Sequence, residues 1–340
     1  MAISSAKTAV RMKPPEFSDL RKLSTKLGNN ALLVQAAGGN TSIKHDDVMW
    51  IKASGTWLMH ANERDIFVPV DHQKILSELA RENPDCENCI AFVRNDLNPS
   101  GLRPSIETSV HALMPQSVVL HVHCVNTLAL AIRQDAQAEC EKRLAGMNWA
   151  FVPYARPGLQ LSRAIRKAMT LSTDILILQN HGLVVAAASV DMAEQLLNRV
   201  VQAMHCEIQP TAEPDMVALE KLVADTAYRP ARTAAAHATA MREWSMTLAA
   251  ANVYYPDHVV FLGTSIATTC EAGGPAVLIP GVGALIRQDA IPSVEPMLAC
   301  LGNVFCRIAA GTALKALTAQ DIDQLLNWDA EKYRQTLKPV

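Results

Sequence analysis

The sequence predicts an α/β protein in two parts, and three observations carry that reading. Short apolar runs of strand character alternate with amphipathic helical stretches along the chain. At 340 residues the chain is long for one hydrophobic core. A polar patch, QPTAEPD at 209–215, separates a first part from a second, which we place at 1–212 and 213–340. Apolar residues make up 49% of the chain, enough to fill ordinary cores. Charged residues are 19% with a formal net charge of -2, which gives no electrostatic case for nucleic acid or an acidic membrane surface. No apolar run approaches the roughly 18 residues of a membrane span. The start, MAISSAKTAVRMKPPEF, lacks the apolar core of a secretion signal, so a cytoplasmic protein is expected.

The elements follow in order. EFSDLRKLSTKLGNN (16–30) is an amphipathic helix ending near Gly28. ALLVQAAGG (31–39), VMWIKAS (48–54) and IFVPVD (66–71) are strand-like runs separated by turn residues. HQKILSELAREN (72–83) is a helix. Pro104 suits the first turn of another, carrying SIETSVHALM. SVVLHVH (117–123) is a strand and LSRAIRKAMTL (161–171) a helix. DILILQNHGLVVAA (174–187) is two strands broken at Asn180-His181-Gly182, and SVDMAEQLLNRVVQAMHCEI (189–208) is a long helix. The second part begins with helical segments and then echoes the first. QSVVLHVH resembles DHVVFLGT, and DILILQNHGLVV resembles GPAVLIPGVGALI, each of the latter pair followed by a helix of similar length. On that alignment the second part is a shortened, degenerate copy without the histidines.

The eight cysteines are scattered and expected to be reduced. Cys86 and Cys89 form one C-x-x-C, but no second pair exists, so an ordinary loop pair is the expectation.

Chemistry concentrates at the histidines. Residues i and i+2 of a strand share a face, so His121 and His123 project side by side and can grip one metal ion. His181 stands at a strand-to-strand break, where Gly182 permits an unusual backbone angle. Three protein ligands with an open position describe a catalytic zinc site. Glu107 lies in a helix that leads directly into the histidine strand, where a carboxylate can be a fourth ligand, a general base, or both in turn. His111, four residues on, can share the face of Glu107 and reads as supporting. Before the histidines come two loops. AAGGNTS supplies Gly39 and Asn40; IKASGTW supplies Lys52, Ser54 and Gly55; Ser105 adds a hydroxyl beside Glu107. Backbone N–H groups, hydroxyls and one lysine are the ingredients of a phosphate or carboxylate cradle. Neither G-x-G-x-x-G nor a P-loop is present, which disfavours a nicotinamide or ATP enzyme.

In order, GGNTS, K-x-S-G, P-S-x-E, H-x-H and N-H-G resemble the class II aldolase/adducin family over roughly residues 15 to 210. NWDAEKYRQ and YYPDHVVFLG also look like the aldolase part of bifunctional rhamnulose-phosphate aldolase/dehydrogenase proteins, whose dehydrogenase activity is expected to be absent from a chain ending at Val340. The resemblance implies a three-layer α/β/α fold around a mostly antiparallel sheet, and a homo-oligomer, commonly a tetramer. It implies Zn2+, or Mn2+ or Co2+ in its place, on His121, His123 and His181. Glu107 would be the acid/base, with a carboxyl raised toward neutrality. Gly39, Asn40, Ser54, Gly55 and Ser105 would hold a substrate phosphate. Many members carry a second serine where this chain has Ile106, which weakens the phosphate assignment. The implied reaction is retro-aldol cleavage of a sugar or sugar phosphate. A 4-epimerase, a dehydratase or a decarboxylase would use the same site, although many epimerases carry aspartate at the position of Glu107. An adducin-like interaction protein would be expected to lose the histidines, and all three remain.

Overall fold

In the computed structural model, which describes residues 13–328, seven strands of the first part form one sheet. They are β1 (Asn40–His45), β2 (Val48–Lys52), β3 (Phe67–Asp71), β4 (Val118–Val122), β5 (Trp149–Val152), β6 (Ile175–Leu178) and β7 (Gly182–Ala187). The spatial order is β3-β2-β1-β4-β7-β6-β5, antiparallel at every step except β5 against β6. The helices of this part are α1 (Phe17–Gly28), α2 (His72–Ala80), α3 (Thr108–Leu113), α4 (Val125–Ala131), α5 (Ala136–Arg143), α6 (Leu159–Ala168) and α7 (Val190–Ala203). The one parallel pair is joined by α6, the crossover that parallel strands require.

Helices cover both faces, which gives the three layers expected. Val118, Leu120 and Val122 of β4 pack with Leu20 and Leu23 of α1 and Leu197 and Val200 of α7. Val119, out of phase with them, packs with Val110 of α3 and Leu161 and Ile165 of α6. His121 shares the phase of Val119 and so faces the α3–α6 layer.

The second part carries a three-stranded antiparallel sheet of β8 (Tyr228–Pro230), β9 (Ala276–Ile279) and β10 (Gly283–Arg287), in the order β8-β10-β9. Its helices are α8 (Met216–Leu222), α9 (Ala234–His237), α10 (Glu243–Ala251), α11 (Pro256–Leu262), α12 (Val294–Phe305) and α13 (Ala319–Leu326). Its core does not stop at residue 212. Ala36 and Val125, Leu128, Ala129 and Ile132 of the first part belong to the same buried cluster as Val259, Leu298 and Leu301.

Three segments differ from the sequence expectation. Residues 31–39 are a turn, not a strand: Ala36 and Gly39 have φ of 49° and 65°, and Leu33, Val34 and Gly38 bond back three or four residues. The strand starts at Asn40 instead. The helix after Pro104 starts later than expected, at Thr108. Ser54 N donates to the Arg103 carbonyl and Ser105 N to the Lys52 carbonyl, so residues 103–105 stay extended beside the end of β2. The segment DHVVFLGT is helix α11 rather than a strand. Pro256 suits its first turn, and Gly263 (φ 93°) ends it. Every residue of α11 is buried, so its sequence has no alternation to separate helix from strand. The hairpin β9–β10 and helix α12 do occupy the rest of the echo. Of the tail NWDAEKYRQ, residues 329–335 lie outside the described residues.

Candidate metal centre

Three adjacent strands bring the histidines together. Asn40 of β1 pairs with His121 of β4, and His121 pairs in turn with Val184 of β7. His123 lies just past the end of β4, and His181 in the turn between β6 and β7. The three imidazoles are buried, with centroids 5.0, 5.0 and 5.5 Å apart. One ring nitrogen from each lies within 4.8 Å of the others. This is the one such group of three potential ligands among the described residues.

The tautomer of His121 follows from its partner. His121 Nδ1 is 3.1 Å from the Leu183 carbonyl, which can only accept, so Nδ1 carries the proton. His123 Nδ1 is 3.0 Å from Asp257 Oδ2, an ion-pair distance without hydrogen-bond geometry. His121 Nε2 is then a lone pair, and it faces His123 Nε2 at 3.2 Å. Imidazole nitrogens gathered this closely would hold an ion such as zinc. His181 Nε2 is 3.4 Å from Glu107 Oε1, and His121 Nε2 is 3.5 Å from Glu107 Oε2. His181 Nδ1 and Glu107 Oε1 have no hydrogen-bond partner among the described residues. A buried donor set of neutral imidazoles beside a carboxylate fits a divalent ion of the zinc kind.

Glycines make the room. A Cβ on Gly182 would stand 2.7 Å from the Val122 carbonyl oxygen and 3.1 Å from His121 Cε1. A Cβ on Gly38 would meet His123 Nδ1 at 2.9 Å and Asp257 Oδ2 at 3.0 Å. The unusual backbone angle expected at Gly182 belongs instead to Asn180, with φ 55°. Its amide can afford the conformation because Nδ2 donates to the carbonyls of Tyr254 (2.8 Å) and Lys315 (2.6 Å).

Glu107 stands just before α3, makes no side-chain capping bond there, and is buried. Burial disfavours its charge, but the imidazoles of His121, His181, His123 and His111 surround it and bring the carboxyl down to about 2. The expected rise toward neutrality is therefore not found. Burial holds His181 and His111 neutral, each lowered to about 3, and lowers His121 as well.

The loops converge on one cleft. Gly39, Asn40, Lys52, Ser54, Gly55, Ser105 and Glu107 line one cleft with His123 and His181, and His121 sits behind it. Their bonds refine the picture. Asn40 Nδ2 donates to Glu107 Oε2 at 2.8 Å, so it holds the carboxylate. Lys52 Nζ, deeply buried, donates to the carbonyls of Ala37 and Thr56 and braces the two loops. Ser105 Oγ accepts from Glu107 N at 3.2 Å. Asp257 also lines the cleft; the segment YYPDHVVFLG that contains it pointed to no site role. Cys86 and Cys89 are buried and unpaired, and burial pushes the Cys89 thiol up to about 12.

Known proteins resemble the first part of the chain. A curated relative, an uncharacterized oxidoreductase, YuxG, of Bacillus subtilis, is 25% identical over 201 residues, 56% of this chain. The chain spans only 29% of that relative's length. Among solved structures, the N-terminal class II aldolase domain of a conserved protein from Thermoplasma acidophilum is 22% identical, with TM-score 0.49, over 60% of this chain and 98% of that one. L-fuculose-1-phosphate aldolase from Thermus thermophilus is 17% identical, with TM-score 0.37, over 57% and 93%. The family model of the class II aldolase and adducin N-terminal domain matches residues 19–208, more than half of the chain, and the protein belongs to that family.

Proposed function

We propose that this protein is a metal-dependent aldolase that cleaves a ketose or ketose phosphate, with Zn2+ on His121, His123 and His181, or Mn2+ or Co2+ in its place. The observation that carries the reading is the cluster of three buried imidazoles, one ring nitrogen of each within 4.8 Å of the others, with a carboxylate beside them at a cleft. The ion, when bound, supplies Lewis-acid polarisation of the substrate carbonyl. In retro-aldol cleavage, a substrate hydroxyl loses its proton and becomes the carbonyl of the departing aldehyde. The electron pair of the broken carbon–carbon bond stays with the carbon next to the substrate carbonyl, which then takes up a proton. Glu107, ionised at neutral pH, is placed to carry a proton in this exchange. Asn40 fixes Oε2, which leaves Oε1 as the oxygen that exchanges it.

The anionic end of the substrate would lie against Gly39, Ser54, Gly55 and Ser105. The amides of Ser54 and Ser105 already donate to carbonyls, so these two residues would act through their hydroxyls. Lys52 would shape the loops and add positive charge. The reading includes a cytoplasmic homo-oligomer, a tetramer by resemblance to the family, which sedimentation tests. No helix among the described residues is long and apolar enough to cross a membrane.

The deciding experiment incubates the metal-loaded protein with free and phosphorylated ketoses and assays released aldehyde. An epimerised sugar, a lost water or released CO2 in place of aldehyde would reassign the chemistry. Full metal occupancy after His121→Ala plus His123→Ala would remove the basis of the proposal.

A further inference from the structure

We propose that Asp257 completes the metal centre from the second part of the chain, by holding the His123 imidazole with Nε2 turned toward the ion. The inference rests on the metal reading above and adds a positioning residue that the family match, which ends at residue 208, does not include.

The contact is short and enclosed. Asp257 Oδ2 lies 3.0 Å from His123 Nδ1, with side-chain exposures of 3% and 9%. A carboxylate this deeply buried is costly unless a cation or proton donor compensates it, and His123 Nδ1 stands beside it at ion-pair distance, outside hydrogen-bond geometry. A plain preference for negative charge at a helix start would leave the side chain free to reach water. This one turns inward, onto a ring whose opposite nitrogen faces His121 Nε2 at 3.2 Å. A carboxylate on the far nitrogen of an imidazole fixes its tautomer and its orientation and strengthens it as a donor.

The surroundings preserve this arrangement. Asp257 is in the first turn of α11, immediately after Pro256. The chain just before that turn is tied to the histidine hairpin, because Asn180 Nδ2 donates to the Tyr254 carbonyl at 2.8 Å. Gly38 leaves open the space above the contact, where a side chain would press on both of its atoms. Ligand hairpin, β4 terminus and α11 thus meet at one carboxylate–imidazole pair.

The test measures Zn2+ and Co2+ affinity of the full chain by competition with a chromophoric chelator, alongside the melting temperature of the metal-free protein. Asp257→Ala should bind metal about 10- to 100-fold more weakly. Asp257→Asn, whose amide oxygen can accept from Nδ1–H, should lose less. The metal-free Asn variant should melt close to the wild type. Unchanged affinity in both variants, with His123→Ala still losing the ion, would overturn the role of Asp257 and leave the metal reading standing. A lower metal-free melting temperature with unchanged affinity would also overturn it, because Asp257 would then serve only the fold. A wild-type chain that takes up no ion would sink both. If Asp257→Ala does not fold, the Asn variant decides by the same criterion.

Discussion

At the scale of single residues, Glu107 and Gly182 allow the sharpest tests. Glu107→Gln keeps the size of the side chain and removes its basicity, while the three histidines remain. Turnover should fall by roughly 10²- to 10⁴-fold with metal still bound. If Glu107 only favoured the start of α3, the substitution would cost under about 1 kcal/mol of stability and leave turnover near normal. One steady-state assay on a cleaved substrate separates these outcomes. Gly182→Ala would put a methyl 2.7 Å from a backbone oxygen and 3.1 Å from a ligand ring. We expect a loss of about 1–3 kcal/mol in denaturant unfolding, together with weaker metal binding by chelator competition. The histidines were legible because H-x-H on a strand and N-H-G at a break have a reason to be polar. The role of Asp257 was not, because it stood only as one letter of YYPDHVVFLG, with no ligand spacing to read. Gly38 was visible only as half of a glycine pair; its purpose needs the three-dimensional approach of His123.

At the scale of elements, the β6–β7 turn links the site to the second part. Asn180 adopts a left-handed conformation and gives both amide protons to carbonyls of distant segments. Asn180→Ala keeps the backbone strain and removes the donor from two carbonyls, that of Tyr254 being buried. We expect it to cost about 1–3 kcal/mol, seen as a lower denaturant midpoint at constant slope. Strands β2, β3, β4, β6 and β7 and helices α1, α2, α6 and α7 were legible from periodicity, because each has an apolar face or run bounded by turn residues. Residues 31–39 were not, since left-handed turns at Ala36 and Gly39 break a run that looks apolar enough for a strand. Helix α11 was not either, being buried on all sides, and the sequence cannot show that the pairing of residues 103–105 with the end of β2 delays α3.

At the scale of the whole molecule, buried neutral imidazoles set the response to acid. Burial lowers His258 and His111 from 6.5 to about 3. Between those values the unfolded chain takes up protons that the folded chain refuses, so stability rises with pH there. It should be fully present above about 6.5 and fall as the pH drops toward 3, by up to about 1.4 kcal/mol per pH unit for each such group. Denaturant midpoints measured from pH 7 to pH 5 check the sign; a midpoint that rises on acidification would contradict it. The division at 212 was read from composition, whereas a core shared by Ala36, α4, α11 and α12 depends on contacts that no linker signature reports. The amide bridge from Asn180 to Tyr254 has a further consequence for motion. An ion that settles the β6–β7 turn also settles the start of α11, so local opening at either place must break the same bonds. Saturating ion, at about 100 times its dissociation constant, adds about 2.7 kcal/mol to the cost of any opening that releases it. Amide hydrogen exchange at His181 and at the backbone N–H of His258 and Val259 should therefore slow by a common factor when the ion is added, while exchange in β9 and β10 stays where it was.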